Sequence, residues 1–274
     1  MRTASQTPSH EHSDRYTHGY ERPVLAAHAT RTAQTSAGYL LPHLRPGMSL
    51  LDVGCGPASI TLDLAQRLRP GRVLGVDTSA QALAAARAEA ARRGDSTTSF
   101  EQADAYSLPC ADGSFDVVHA HQVLQHLADP VAALREMARV AGSLVAVRDV
   151  EYRTMSFFPD LPGLQMWLDT YRQIARANDA EPDAGRYLKA WAHAAGLADT
   201  TVTVSAWCYA DPDSVHWWSH SQAERVHGQA FTSEAIEAGR SAAEVEEMVQ
   251  AWINWGDSPD AYFTMTHTEL LARV

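Results

Sequence analysis

Two glycines and an aspartate in the first third of the chain have a spacing that suits nucleoside binding. Gly54 and Gly56 follow the apolar run 49–53 and precede a helical stripe over 57–69. Glycines in such a turn let backbone N–H groups approach a ligand closely. Asp77 follows Gly56 by 21 residues. It ends the next apolar run, where a carboxylate can accept hydrogen bonds from ribose hydroxyls. The pattern predicts a nucleoside site on two neighbouring strands.

The glycine pattern also bears on which nucleoside binds. Ser59 stands where a dinucleotide-binding fingerprint has its third glycine, and no basic group for a pyrophosphate lies nearby. A nucleoside without phosphates therefore fits better than NAD. An NAD(P)-dependent oxidoreductase stays open as an alternative, because Gly54, Gly56 and Asp77 permit it.

His121 is the candidate group for proton transfer. It directly follows the apolar run 115–120, at the carboxyl end of a predicted strand. An imidazole with an ordinary pKa of about 6.5 suits a general base near neutral pH. The alternative is that His121 only hydrogen-bonds the cofactor or a loop carbonyl, and both interpretations stay open.

A metal site is the other chemistry that the histidines suggest. His216 and His220 are four residues apart, so they share a helix face, and such a pair can bind zinc. The segment lacks the internal glutamate of a zinc-protease helix, and Cys55, Cys110 and Cys208 form no CxxC pair. We therefore predict no metal and assign His216 to a pocket wall, with a solvated helix face as the alternative.

The elements that must position these residues alternate between strand and helix. Strands are predicted at 49–53, 72–76, 99–102, 115–120 and 143–149, with helices between them. This alternation implies an α/β fold with a doubly wound, mostly parallel sheet covered by helices on both faces. Ligands of such sheets bind beyond the carboxyl ends of the strands, where Gly54, Asp77 and His121 stand.

The alternation stops after residue 150. Residues 151–198 are predicted to be mostly helical, followed by a strand at 200–206, helices at 213–239 and 241–255, and a last strand at 261–268. All seven tryptophans follow residue 150. We interpret this half as an acceptor-recognition region, with Trp207 and Trp217 in the pocket, because flat rings bury much area at little entropic cost. Core packing is the alternative for some of them.

Charge is distributed unevenly along the chain. The formal net charge is −11; residues 1–150 carry 14 Lys and Arg against 15 Asp and Glu, whereas residues 151–274 carry 8 against 18. An acidic half repels phosphate backbones, so we expect no nucleic-acid partner. No apolar run of membrane-spanning length occurs, and the few cysteines fit a reducing cytoplasm.

Four runs in order carry a family resemblance. DVGCGP at 52–57 resembles the first motif of class I S-adenosylmethionine-dependent methyltransferases, and VDTS at 76–79 looks like their ribose-binding motif. QADA at 102–105 looks like the adenine-binding motif, and FDVVHAHQVLQHL at 115–127 is similar to the fourth-strand motif of the ubiquinone-biosynthesis-like branch. Ala58 departs from the family where a third glycine often stands.

The resemblance implies S-adenosylmethionine as the cofactor and a seven-stranded Rossmann-like sheet with helical insertions capping the acceptor site. It also implies an N-terminal lid, which adds Tyr16 and Arg31 to the cofactor site and Tyr20 to the acceptor pocket. The cofactor residues that it implies are Tyr16, Arg31, Asp52, Gly54, Gly56, Asp77, Thr78, Asp104, Ala105 and His119.

The same resemblance narrows the reaction. The loop after the fourth strand lacks the Asn/Asp-Pro-Pro motif of DNA amino-group enzymes, the carboxylates of catechol-type enzymes and the glutamates of protein-arginine enzymes. We therefore expect metal-free, in-line methyl transfer to a small molecule, with an aromatic secondary metabolite preferred and His121 as the candidate base. A non-catalytic cofactor-binding protein is a further alternative, and monomer or homodimer is left undetermined.

The expected domain organisation follows from these assignments. It comprises a flexible arm at 1–17, lid helices at 18–48, the cofactor-binding core at 49–150 and the acceptor-recognition region with the last strands at 151–274.

Overall fold

The computed structural model describes residues 31–274, so the predicted arm at 1–17, Tyr16 and Tyr20 lie outside the described residues. Its strands are β1 Leu50–Val53, β2 Val73–Asp77, β3 Ser99–Gln102, β4 Phe115–His121, β5 Ala141–Val150, β6 Ser156–Phe158, β7 Thr200–Tyr209 and β8 Tyr262–Arg273. Its helices are α1 Ala33–Ser36, α2 Ser59–Leu68, α3 Ala80–Arg92, α4 Pro130–Val140, α5 Pro162–Ala177, α6 Leu188–Ala194, α7 Pro212–His227, α8 Gln229–Glu237 and α9 Ala242–Gly256.

One mixed sheet organises the molecule. Its order is β3-β2-β1-β4-β5-β8-β6, and β7 pairs with β8. Strands β1 to β5 pair in parallel, whereas β8 is antiparallel to β5, β6 and β7. The doubly wound, mostly parallel sheet is thus confirmed. Parallel pairing brings the carboxyl ends of β1, β2, β3 and β4 to one edge, which we call the cofactor edge.

Two apolar cores stabilise the two parts of the molecule. In the front part, strands β1, β4 and β5 are almost entirely buried, because α4 and α6 pack on one face and α1 and α2 on the other. In the back part, α5, α7 and α9 pack together around Trp167, Trp252 and Trp255. We call this second core the tryptophan core. The start of β8 contributes Phe263 to it.

Several predicted element boundaries were wrong. The single helix predicted at 213–239 is two helices, because Gly228 has extended backbone (φ −60°, ψ 148°) that ends α7 and begins α8. Glycine is a poor helix former, so the break has a local cause. The strands predicted at 200–206 and 261–268 are longer, because β7 and β8 pair along a ten-residue ladder.

The number of strands also differs from the prediction. Residues 31–274 form a sheet of eight strands, one more than the seven expected. The additional one, β6, lies in the segment predicted to be mostly helical and pairs with the start of β8. A run of three residues before Pro159 is too short for its periodicity to be read from the sequence. Among residues 31–274, no helix has both the length and the apolar character needed to cross a membrane.

Candidate functional site

The turn after β1 combines close packing with open space. Gly54 and Gly56 have φ values of 68° and 53°, which glycine adopts without strain. A Cβ at Gly54 would lie 2.4 Å from a methyl of Val123, whereas one at Gly56 would meet no atom within 4 Å. The first glycine therefore allows the turn to pack against the loop after β4. The second leaves space beside the backbone in which a ligand could lie.

Asp77 connects this turn with the next strand. Its Oδ2 accepts a hydrogen bond from the backbone N–H of Gly56 at 3.0 Å, and its Oδ1 accepts one from Ser79 at 2.9 Å. Burial raises the pKa of Asp77, and these N–H donors counteract the increase. The carboxylate is half-buried, so it can still accept from a ligand. The glycine turn and Asp77 together fit a nucleoside.

The third strand provides the next group at the cofactor edge. Asp104 is exposed, and its Oδ1 accepts from the backbone N–H of Tyr106 at 2.9 Å. Ala105 is buried, whereas Thr78 is exposed and its carbonyl accepts from Gln102 Nε2 at 2.8 Å. The backbone N–H of Ala103 donates to the carbonyl of Asp77 at 3.2 Å. These contacts tie the ribose and adenine motifs to each other.

Asp52 and His119 lie beneath the glycine turn. His119 is fully buried, and its Nδ1 is 2.7 Å from Asp52 Oδ1. The other carboxylate oxygen of Asp52 accepts from Thr61 Oγ1 at 2.5 Å. Both oxygens of Asp52 are therefore engaged by protein groups. Asp52 and His119 form a buried pair, because β1 and β4 pair side by side and place them together. Their contacts with the cofactor stay a prediction.

His121 ends β4 in a buried setting. Its ring centroid is 5.8 Å from Trp207 and 6.2 Å from His267. Both of its ring nitrogens are buried, with no hydrogen-bond partner among the described residues. Burial, and to a lesser degree Arg148 and Arg31, hold the pKa of His121 well below its ordinary value. The side chain is therefore neutral at physiological pH and is a weaker base than the sequence suggested.

Arg148 was missed by the sequence analysis. It is the register partner of His121 on β5 and is fully buried. Its guanidinium carbon lies 5.0 Å from the centroid of the Trp207 ring, and that of Arg31 lies 5.1 Å from the same centroid. A charged residue in a strand expected to be buried on both faces is a signal that could have found it.

The structure places His216 and Trp217 differently from Trp207. His216 is exposed on α7, and its ring centroid is 4.1 Å from that of His220. The half-buried Trp217 packs beside Tyr209 and Trp218 at the edge of the tryptophan core. Of these three predicted acceptor residues, Trp207 contacts His121, whereas His216 and Trp217 contact other rings. Among residues 31–274, no three His, Cys, Asp or Glu side chains are grouped as metal ligands.

Comparisons with known proteins agree with this arrangement. The family model for a methyltransferase domain matches residues 44–206. An uncharacterized methyltransferase of Schizosaccharomyces pombe is 31% identical over 93% of this chain and 95% of its own length. The 27-O-demethylrifamycin SV methyltransferase of Amycolatopsis mediterranei is 33% identical over 58% of both chains.

A solved structure shares the fold. The YcgJ protein of Bacillus subtilis superposes with a TM-score of 0.56 at 19% identity, over 86% of this chain and 96% of its own. At this identity the likeness concerns the fold alone. None of the comparisons favours the oxidoreductase alternative.

Proposed function

This chain belongs to the class I S-adenosylmethionine-dependent methyltransferases, and we propose that it methylates a small organic molecule bound beside His121, without a metal. The observation that carries the proposal is that two features lie at one edge of the sheet. They are the open side of Gly56, in the turn after β1, and the ring of His121, which has no partner among the described residues and ends the neighbouring strand β4. The first fits a nucleoside cofactor, and the second gives an acceptor a polar partner.

The cofactor edge divides its tasks among separate residues. Gly54 and Gly56 present the backbone of the turn to the cofactor, and Asp77 accepts from its ribose hydroxyls. Asp104, with Thr78 and Ala105 beside it, faces the adenine. Asp52 and His119 act indirectly, because they fix the turn from below.

S-adenosylmethionine, when bound, supplies a methyl group that its sulfonium already activates. The protein's task is to align the acceptor and to exclude water, and alignment alone can contribute about 7–11 kcal/mol. His121 is buried, so water is excluded around it. Its neutral ring can accept a hydrogen bond from an acceptor hydroxyl, or take a proton from it as a weak base. Arg31 and Trp207 complete this side of the site, and the predicted lid at 18–48 is a further part of the proposal.

The acceptor class rests on a relative and on the surroundings of the site. The Amycolatopsis protein is named as a methyltransferase for 27-O-demethylrifamycin SV, which is a small molecule. Trp207 and the acidic second half favour a small acceptor over a nucleic acid. We therefore propose a secondary metabolite with an aromatic part.

Calorimetric titration with S-adenosylhomocysteine, and separately with NADH, tests the cofactor site. We expect binding of the first and not of the second. Asp77→Asn should weaken binding at least about tenfold, because a charged acceptor is replaced by a neutral one. The matched control is Asp160→Asn, at an exposed position before α5, which lies outside the cofactor edge and should leave the affinity unchanged.

The acceptor is then sought by mass gain of one methyl group in a panel of small molecules. His121→Phe should lower the rate with an accepted substrate while leaving the affinity for S-adenosylhomocysteine unchanged. An unchanged rate would remove His121 from the acceptor site. Failure of the wild-type protein to bind S-adenosylhomocysteine would contradict the site proposal as a whole.

A further inference from the structure

A cluster of basic and aromatic side chains surrounds Trp207 beside the proposed acceptor site. We call it the basic cluster, and it consists of Arg31, His121, Arg148, Trp207 and His267. The Trp207 ring lies 4.4 Å from that of His267 and about equally far from the two guanidinium groups, at 5.1 Å and 5.0 Å. The indole Nε1 donates to the carbonyl of Thr35 at 3.0 Å. Trp207 thus holds the cluster together and has its own polar atom satisfied.

His267 is fully engaged by protein groups. Its Nδ1 lies 3.2 Å from the carbonyl of Met265, and its Nε2 lies 2.7 Å from Gln122 Nε2. A carbonyl can only accept, so Nδ1 carries the proton and Nε2 accepts from the amide of Gln122. His267 is therefore a neutral part of the framework, with both ring nitrogens used.

Arg148 differs from His267, because it has donor capacity left over. Its Nε and Nη2 donate to Ser205 Oγ at 3.2 Å and 3.0 Å, and Nε lies 3.5 Å from Glu269 Oε1. Its Nη1 is buried with no partner among residues 31–274. Burial lowers the pKa of Arg148 to about 10, which still leaves it charged at neutral pH. A charged donor that is buried and unmatched is costly, so Nη1 has the capacity to donate to one further acceptor atom.

The carboxylate nearest to Arg148 balances its charge only in part. Glu269 Oε1 lies 3.5 Å from Nε of Arg148. Glu269 also accepts from Thr203 and Ser205, at 2.7 Å and 2.6 Å, so its oxygens are shared. None of these contacts involves Nη1. A buried charge is stabilised when a ligand of the opposite sign binds.

We infer that the acceptor binds as an anion, with a carboxylate or an ionised hydroxyl accepting from Nη1 of Arg148. This inference rests on the proposed methyl transfer and adds the charge of the substrate to it. A charge-assisted hydrogen bond gives both affinity and orientation. The unpartnered ring of His121, on the neighbouring strand, is the next polar group that the anion would meet.

Matched pairs of acids and amides test the charge of the ligand directly. The full chain, saturated with S-adenosylhomocysteine, is titrated calorimetrically with benzoate, phenylacetate and cinnamate, and with the three corresponding neutral amides. We expect at least one carboxylate to bind about tenfold or more tightly than its amide. The double variant Arg148→Met/Glu269→Gln removes both charges of the pair together, which avoids leaving a buried carboxylate alone. It should abolish the preference.

One control variant and three possible results that would contradict the inference complete the test. Arg67→Gln removes one exposed positive charge on α2 and should retain the preference. If no carboxylate binds better than its amide, or if the double variant keeps the preference, the inference is wrong. It is also wrong if the double variant loses affinity for S-adenosylhomocysteine, because Arg148 would then serve the cofactor's own carboxylate. A wild-type chain that does not bind S-adenosylhomocysteine contradicts the proposed function instead.

Discussion

The cofactor edge and the tryptophan core use their characteristic residues in opposite ways. At the cofactor edge, Gly56 leaves space and Asp77 keeps a half-exposed carboxylate. In the tryptophan core, Trp252 and Trp255 are fully buried and pack edge to face, with their ring centroids 5.7 Å apart. Ligand binding at the cofactor edge therefore depends on free space and on an accessible carboxylate. The stability of the tryptophan core depends on side chains that fill it completely. Residue types alone do not reveal this difference, because tryptophan suits a pocket wall as well as a core.

The largest expected effect concerns the tryptophan core. Trp252→Ala should lower the free energy of unfolding by about 3–5 kcal/mol, because it removes a fully buried ring and leaves a cavity. Urea unfolding measures the loss, and calorimetry should show unchanged affinity for S-adenosylhomocysteine in the folded variant. Trp191→Ala is the control: this half-buried ring stacks on Tyr187 at 5.6 Å and should cost less. If Trp252→Ala also weakened binding of S-adenosylhomocysteine by a similar free energy, the tryptophan core and the cofactor edge would not be independent.

The next effect concerns the cofactor edge. Gly56→Ala should weaken binding of S-adenosylhomocysteine on the order of 100-fold, about 2.7 kcal/mol, because the new methyl group enters the space proposed for the ligand. Gly94→Ala is a matched control: Gly94 also has positive φ (67°) and an unobstructed Cβ position, but it follows α3. Both variants should lose similar stability from the strained backbone. Equal affinity in the two variants would contradict the assignment of Gly56.

An effect that is smaller for each pH unit is expected where a polar group is buried beside the cofactor edge. Burial raises the pKa of Asp149 to about 8, and its Oδ2 accepts from the backbone N–H of Leu124 at 3.2 Å. In the unfolded chain the pKa is about 3.9, so between these values folding takes up a proton. The free energy of unfolding should therefore fall as the pH rises from about 4 to about 8, by up to about 1.4 kcal/mol per unit.

Unfolding of Asp149→Asn across that pH range checks this expectation. The slope should be weaker in the variant, because an amide does not titrate there. Asp260→Asn, at an exposed position before β8, should keep the wild-type slope. Identical slopes in Asp149→Asn and the wild type would mean that Asp149 is ionised in the folded protein.

The fold could be predicted from the sequence mainly where local signals determine it. The alternation of strands and helices from 49 to 149, the glycine turn and Asp77 are local patterns, and the structure has the predicted parallel sheet. The prediction was wrong where pairing at a distance decides the structure. Strand β6 and the true ends of β7 exist because β8 lies beside them. No residue within β6 or β7 indicates from the sequence that β8 will pair with it.

The candidate site shows the same limit. His121 could be named from its place after a strand, but its low pKa depends on burial and on arginines of other elements. Arg148 was not identified, because its importance depends on its position opposite His121 in the sheet. For Trp207 and Trp217, the sequence shows the same residue type in the same half of the chain. Both rings pack against the tryptophan core, and only the tertiary structure shows that Trp207 also belongs to the basic cluster.

The position of β8 has a consequence for synthesis of the protein. This strand begins at Tyr262, yet it lies between β5 and β7 and also pairs with β6. While the ribosome is still translating the preceding 261 residues, the edges of β5 and β7 have no partner in this sheet. Unpaired strand edges are sites of aggregation. The nascent chain therefore has a vulnerable interval, and slow translation of the codons for α9 would lengthen it.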